Sequence, residues 1–183
     1  MIQLVGPGGA GKTTIGTALA ERLGVQFVDL DGEFAARHGD ISTFLDAHGY
    51  QAYAEHNVRL YLDLVRGPAR IDILALSSGF MTYPESIHPD YFVLRQQVAA
   101  SPSTFVLLPS VDGDACASEI VRRQLQRPFA LSAEREEQVI RDRFFTYVKL
   151  SACKVETMRP IEAVVTELVA ALAAQRAVPE GKR

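Results

Sequence analysis

Nine residues, GPGGAGKTT from Gly6 to Thr14, follow directly on the apolar run Ile2-Gln3-Leu4-Val5. Four glycines, a proline and a single lysine cannot pack a core. They can turn successive backbone N–H groups inward as an anion nest, reinforced by the positive end of a following helix. Gly6, Gly11, Lys12 and Thr13 satisfy G-x-x-x-x-G-K-[ST] between a strand and a helix, the context the pattern requires. Gly8, Gly9, Ala10, Gly11 and Thr14 are therefore expected to cradle the phosphates of a nucleotide. Lys12 would reach the β- and γ-phosphates, and the Thr13 hydroxyl would ligate Mg²⁺. The pattern thus implies a nucleotide with β- and γ-phosphates and Mg²⁺.

The rest of the chain fits a parallel α/β architecture. Strands are expected at Ile2–Val5, Gln26–Asp29, Ile71–Leu76, Thr104–Leu108 and Lys154–Glu156. Helical patterns cover Lys12–Leu23, Tyr50–Val65, Asp114–Gln124, Ala133–Tyr147 and Ile161–Gln175. Continuous apolar runs such as DILAL and TFVLL suit strands buried on both faces. Their alternation with helices implies βαβ units. The expectation is an α/β fold, a three-layer sandwich around a parallel sheet of about five strands, within a single domain over 1–183.

Composition narrows the partners. With 48% hydrophobic and 22% charged residues the chain reads as a soluble globular protein. A net charge of −3 offers no bulk positive field for nucleic acid. No apolar stretch approaches the roughly 20 residues of a membrane span. Cys116 and Cys153 lie far apart without metal-ligand spacing and read as reduced and structural, which fits the cytoplasm. The first residues resemble a strand, not a signal peptide. A cytoplasmic monomer acting on a small molecule, without nucleic acid or membrane, is expected. The tail 177–183 reads as disordered.

A second constellation is FVDLDGEF, with Asp29 and Asp31 two apart. On an extended segment they share a side, which at a parallel strand's C-terminal end faces the ligand crevice. One of the two could hold Mg²⁺ through its water shell while the other accepts or orients a hydroxyl proton. Alternatively, one of them caps a helix beginning near Gly32. Arginine forms a third cluster: Arg122, Arg123 and Arg127, then Arg135, Arg141 and Arg143. Such a run is usually a solvated helix face, yet phosphoryl transfer needs a cation over the γ-phosphate on a mobile lid. Arg127, just before Pro128 and between two helices, suits that role. Lys12, Arg127 and one carboxylate of the Asp29/Asp31 pair are the candidate catalytic residues. The four histidines, at 38, 48, 56 and 88, show no ligand spacing.

These residues resemble the shikimate kinases over nearly the whole chain. The stretch from GPGGAGKTT through FVDLDGEFAARHG is similar to that family's phosphate loop, first helix and D-x-D strand. Gly39, Ile41 and Ser42 approximate its G-x-S-I segment with altered order. RRQLQRP resembles the adenine-side arginines and a shortened lid, RDRFFTY its R-x-x-x-Y helix through Arg143 and Tyr147, and VETMRP its adenine-clasping loop. The resemblance implies transfer of the γ-phosphoryl group of Mg·ATP to a small metabolite, with Thr13 and Asp29 on the metal. It further implies Asp31 on the acceptor hydroxyl, Arg127 in the lid, Arg123 and Pro160 around adenine, and Arg159 beside them. The acceptor region would span about 31–65 and 77–91, and the lid about 123–133.

The acceptor half departs from the family. In place of G-E-x-x-F-R the chain has GYQAYA, with Tyr50 for the acid and Ala54 for the arginine. The family's G-G-G turn is Ser77-Ser78-Gly79, a second arginine position reads as Val148, and Met81–Tyr91 is longer than usual. Bidentate arginine–carboxylate pairs are strong, so losing both implies an acceptor other than shikimate, unless Arg59 substitutes. Asp31, Tyr53, Ala54, Ser78 and Gly79 are the candidate acceptor contacts. Two rival readings stand: a nucleoside or nucleotide kinase with Tyr50, Tyr53, Phe80 and Tyr83 stacking on a base, and a nucleotide-binding regulator without acceptor chemistry.

Overall fold

The computed structural model describes residues 1–124 and 133–177. One parallel sheet contains β1 (Ile2–Val5), β2 (Phe27–Asp29), β3 (Ile73–Ala75), β4 (Thr104–Leu108) and β5 (Cys153–Glu156), in the order β2-β3-β1-β4-β5. Leu4 of β1 pairs with Ala75 of β3 and Phe105 of β4, while Asp29 at the end of β2 also meets Ala75. The described helices are α1 (Lys12–Leu23), α2 (Leu30–His38), α3 (Ile41–Arg66), α4 (Tyr91–Ala100), α5 (Gly113–Gln124), α6 (Ala133–Lys149) and α7 (Ile161–Ala177).

Alternation along the strands builds the three layers. Leu4, Ile73, Ala75, Phe105 and Leu107 point to one face, where they pack with Ile15 and Leu19 of α1 and Val164, Val165 and Leu168 of α7. Val5, Leu74, Leu76, Val106 and Leu108 point to the other, against side chains of α2 to α6. Fully burying one such aliphatic side chain contributes about 1.5–3 kcal/mol. A one-residue slip would exchange both sets at once, so the register is strongly specified. Consequently the five strands end on one edge, and the phosphate loop, Asp29, Ser77 and Thr157 all follow strand ends there, the position where open α/β sheets bind ligands.

β1, β4 and α1 coincide with the spans expected from the sequence. α3 is longer than expected because it continues across a break at Gly49 (φ 80°, ψ 168°), and the expected periodicity begins only after that break. The segment around Met81–Tyr91 is not a surface insertion. It forms two short 3-10 turns, Phe80–Thr82 and Glu85–Ile87, leading into α4. Met81, Tyr83, Ile87 and Tyr91 are buried in the core. Both cysteines are free, but Cys153 is exposed on β5, so only Cys116 is a core residue. Among the described residues no helix is long and apolar enough to cross a membrane. Arg127 and most of the expected lid, and residues 178–183 of the tail, lie outside the described residues.

Candidate active site

The phosphate loop is shaped by close approach. A Cβ on Gly6 (φ +152°) would stand 2.3 Å from the Leu107 carbonyl oxygen of β4, a clash with backbone that cannot move aside. Gly11 caps α1 in the left-handed region at φ 90°. Lys12 Nζ donates to the carbonyls of Gly6 (2.7 Å) and Pro7 (3.0 Å), so the lysine bridges the loop it belongs to. The Ala10 side chain is fully buried, and its N–H donates to Pro7 O at 3.3 Å. Ala10 is 0% exposed as a whole residue, so in this structure it supports the loop from behind and offers no surface to a ligand.

Asp29 serves two partners. Its Oδ2 accepts from Thr13 Oγ1 at 2.5 Å, while Oδ1 caps α2 by accepting from the N–H groups of Asp31 (2.9 Å) and Gly32 (3.2 Å). Asp31 is thus in the first turn of α2 and not on an extended segment. The expected shared side comes from the strand-to-helix turn, not from strand alternation. Both carboxylates nevertheless line one cleft of 250 Å³ with Gly9, Gly11, Lys12 and Thr13. Among the described residues no cluster of three or more His, Cys, Asp or Glu could hold a metal. One hydroxyl and one carboxylate suit Mg²⁺, which keeps waters and takes phosphate oxygens for its other positions.

A neighbouring cleft of 320 Å³ shares Gly9, Gly11 and Thr14 and is bounded by Arg123, Thr157, Arg159 and Ile161. Its size is in the range of small-molecule sites. Arg123 Nη1 donates to Gly9 O at 3.0 Å, and Nη2 to Thr157 O at 3.1 Å. Its Nε is held by Glu119 at 2.7 Å. Arg122 and Arg123 together hold the Glu119 carboxyl down at about 2, with the Arg122 hydrogen bond the larger cause. Arg122 otherwise lies on the exposed face, as a charge run ordinarily would. Thr157 Oγ1 donates to Ala10 O at 2.9 Å and joins this loop to the phosphate loop. Arg159 bonds Glu156 O and Glu167. Pro160 opens α7, and the cleft wall expected from it comes from the adjacent Ile161.

On the acceptor side, Asp31 Oδ1 accepts from Tyr53 OH at 2.8 Å and from Ser77 Oγ at 2.5 Å. Burial, and then the Asp31 charge, push the Tyr53 phenol far up, so it remains a donor. Arg143 projects from α6 and donates to Ser78 Oγ and to Tyr50 OH, each at 3.2 Å. Tyr147 OH holds the Ser78 carbonyl at 2.8 Å. Gly79 lies directly beneath: a Cβ there would meet Tyr50 OH at 2.4 Å and Arg143 Nη2 at 3.3 Å. The Tyr50 phenol is raised chiefly by burial, with Arg143 opposing and Asp31 adding, so this hydroxyl sits within reach of both charges.

Several expectations change here. Ala54 is fully buried in the core and presents nothing to an acceptor. Arg59 pairs with Glu55 on the surface at 2.5 Å with its side chain 58% exposed, so it does not replace a pocket arginine. Phe80 and Tyr83 are core side chains, 0% and 2% exposed, and offer no face to a base. Tyr53 is nearly as buried. A cation does remain beside Ser78 and Tyr50 despite Ala54 and Val148, because Arg143 bonds both hydroxyls. Sequence reasoning quoted Arg143 and Thr157 inside motifs without assigning them these contacts, and passed over Asn57 and Ile161. A helical wheel on α6 carrying Arg143 and Tyr147 on one face was the available signal for Arg143.

Comparison with known proteins agrees with this geometry. A family model for shikimate kinase matches residues 8–173. The shikimate kinase of Histophilus somni (strain 2336) is 30% identical over 142 residues, 77% of this chain and 74% of that protein. That of Xanthomonas axonopodis pv. citri (strain 306) is 29% identical over 178 residues, 94% of this chain and 91% of that protein. A structure of shikimate kinase from Acinetobacter baumannii in complex with shikimate has TM-score 0.74 at 23% identity, covering 96% of this chain and 94% of that one. Deoxyadenosine kinase from M. mycoides with bound dATP has TM-score 0.57 at 14% identity, covering 94% and 98%, and shares the fold alone. A match of this extent sets the regulator reading aside: the chain belongs to the shikimate kinase family and is a small-molecule kinase that uses Mg·ATP.

Proposed function

We propose that the protein transfers a phosphoryl group from Mg·ATP to a hydroxyl of a small hydroxylated carboxylic acid, and that shikimate is the first acceptor to test. The observation that carries this is Arg143. Its guanidinium is half-buried, donates only to two neutral hydroxyls, and has no carboxylate partner among the described residues. A partly desolvated cation without a counter-charge favours an anionic ligand. Ala54 leaves this grip with one arginine, which argues for weaker or differently oriented carboxylate binding than a pair would give.

Roles for the other residues follow from placement. Bound Mg·ATP supplies the activated phosphoryl group and a metal that neutralises charge on it. The Thr13 hydroxyl and the Asp29 carboxylate would hold that metal, the latter through water. Lys12 would exchange its carbonyl partners for phosphate oxygens, while Arg123, Arg159 and Ile161 bound the base. Asp31 would accept the proton released as the acceptor oxygen forms its bond to phosphorus. Arg127 is proposed as the lid cation. The test is steady-state turnover across hydroxy acids and matched neutral polyols, in wild type and Arg143→Ala. The expected result is turnover of a hydroxy acid, with acceptor KM raised in the variant by roughly 10- to 150-fold, the equivalent of about 1.5–3 kcal/mol for a hydrogen bond to a charged group. Preference for a neutral polyol, or an acceptor KM indifferent to Arg143→Ala, refutes the carboxylate.

A further inference from the structure

Behind Asp31 runs a line of side-chain hydrogen bonds that binding alone does not need. Tyr83 OH donates to Asn57 Oδ1 at 3.3 Å, Asn57 Nδ2 donates to Ser77 Oγ at 2.8 Å, and Ser77 Oγ donates to Asp31 Oδ1 at 2.5 Å. Asn57 and Ser77 are 0% and 1% exposed, set within an otherwise apolar cluster. Burying polar groups there is costly unless each is satisfied, and here each is. The line also has a direction. Ser77 has one hydroxyl proton, and because Asn57 offers it an N–H, that proton is left for Asp31.

The second donor, Tyr53 OH, reaches the same oxygen of Asp31. Two hydrogen bonds therefore converge on Oδ1, and among the described residues none reaches Oδ2, on a carboxylate that lines the cleft with Lys12 and Thr13. We propose that Asn57 and Ser77 are positioning residues for phosphoryl transfer, a buried strut that locks the Asp31 carboxylate in one rotamer with Oδ2 presented to the acceptor hydroxyl. The strut joins the end of β3 to α3 and, through Tyr83, to the turn before α4, so three elements fix one carboxylate. This rests on the proposal that Asp31 takes the acceptor proton.

The experiment compares Ser77→Ala, Ser77→Thr, Asp31→Asn and the Ser77→Ala/Asp31→Asn double variant, with shikimate as acceptor. Ser77→Ala is expected to lower kcat by about 10- to 100-fold, the scale of a misplaced catalytic group, with KM for ATP within about twofold. Ser77→Thr, which keeps the hydroxyl, restores most of the rate. In the Asp31→Asn background, Ser77→Ala changes kcat by less than about twofold, since the two act as a unit. Thermal melts confirm that each variant is folded. A Ser77→Ala enzyme at wild-type kcat beside an inactive Asp31→Asn enzyme overturns the strut alone. Asp31→Asn at wild-type kcat overturns the base and the strut together. Independently of any acceptor, crystal structures of wild type and Ser77→Ala read the carboxylate directly. One rotamer in wild type and more than one in the variant is expected, and an unchanged single rotamer overturns the proposal.

Discussion

Thr157→Val tests how the two clefts are joined. The Thr157 hydroxyl is nearly buried, donates to the Ala10 carbonyl at 2.9 Å and receives Arg123 Nη1 at 3.4 Å. Valine keeps the shape and removes the polar atom. The fully buried Ala10 is then left with a carbonyl that has lost this donor, a loss costing about 1–3 kcal/mol. At roughly 2–4 °C per kcal/mol for a chain of this size, Tm falls by about 2–12 °C. Nucleotide affinity falls as well, because the loop carrying Gly9 and Gly11 loses its tie to the loop after β5. One neutral hydrogen bond of about 0.5–1.5 kcal/mol corresponds to a Kd raised roughly 2- to 13-fold. Calorimetric melting and titration with a fluorescent ATP analogue read the two effects. Thr157→Ser should restore both. A Thr157→Val protein that melts within a degree of wild type and binds the analogue equally well would show that the tie is incidental.

Two further outcomes are expected. In Gly79→Ala the added carbon lies 2.4 Å from Tyr50 OH and 3.0 Å from Tyr83 Cε1. The Tyr50 side chain can shift only by giving up its bond to Arg143, and buried Tyr83 cannot shift, so acceptor KM should rise roughly tenfold, the equivalent of about 1.4 kcal/mol, for a stability loss of about 1 kcal/mol. Unchanged acceptor kinetics would place the acceptor elsewhere. Glu119 is held at about 2 in the folded protein against an ordinary 4.5, so its stabilisation is fully present above about 4.5 and is lost as pH falls from there towards about 2. The Tm difference between wild type and Glu119→Gln should therefore shrink on acidification from pH 5 to pH 3, and a constant difference across that window contradicts the ion pairs.

The nucleotide side was legible because its chemistry is local in sequence. Gly6 to Thr14 contains the glycine-rich turn, the lysine and the threonine proposed for phosphate and metal in one short stretch, and the flanking strand and helix announce themselves by apolar pattern. The proposed acceptor side draws on α2, α3, α6 and the end of β3, and contacts between distant elements leave no spacing to read. Arg59 shows what a closer look at period could have settled. Ala54, Asn57, Val58 and Tyr61 form the buried stripe of α3, and a residue about 100° around from Val58 faces solvent, where Arg59 meets Glu55. Tyr83, a stacking candidate in the sequence, is buried between two 3-10 turns that have no apolar rhythm of their own. Asp31 was assigned to the cleft for the wrong reason: its direction is set by a helix that Asp29 caps.

That cap bears on how the family's acceptor half could diverge while its nucleotide half stayed put. Tyr50 belongs to α3, which does not line the cleft bounded by Arg123 and Arg159, so under the proposed reading drift at this position can change acceptor preference without disturbing ATP. Asp29 has no such freedom. One oxygen answers to Thr13 on the metal side, and the other fixes the first turn of the helix that presents Asp31. Any replacement acts on both halves at once, so its effect depends on what occupies the acceptor pocket. Position 29 is pleiotropic, and engineered changes of substrate in this scaffold have to be built around it.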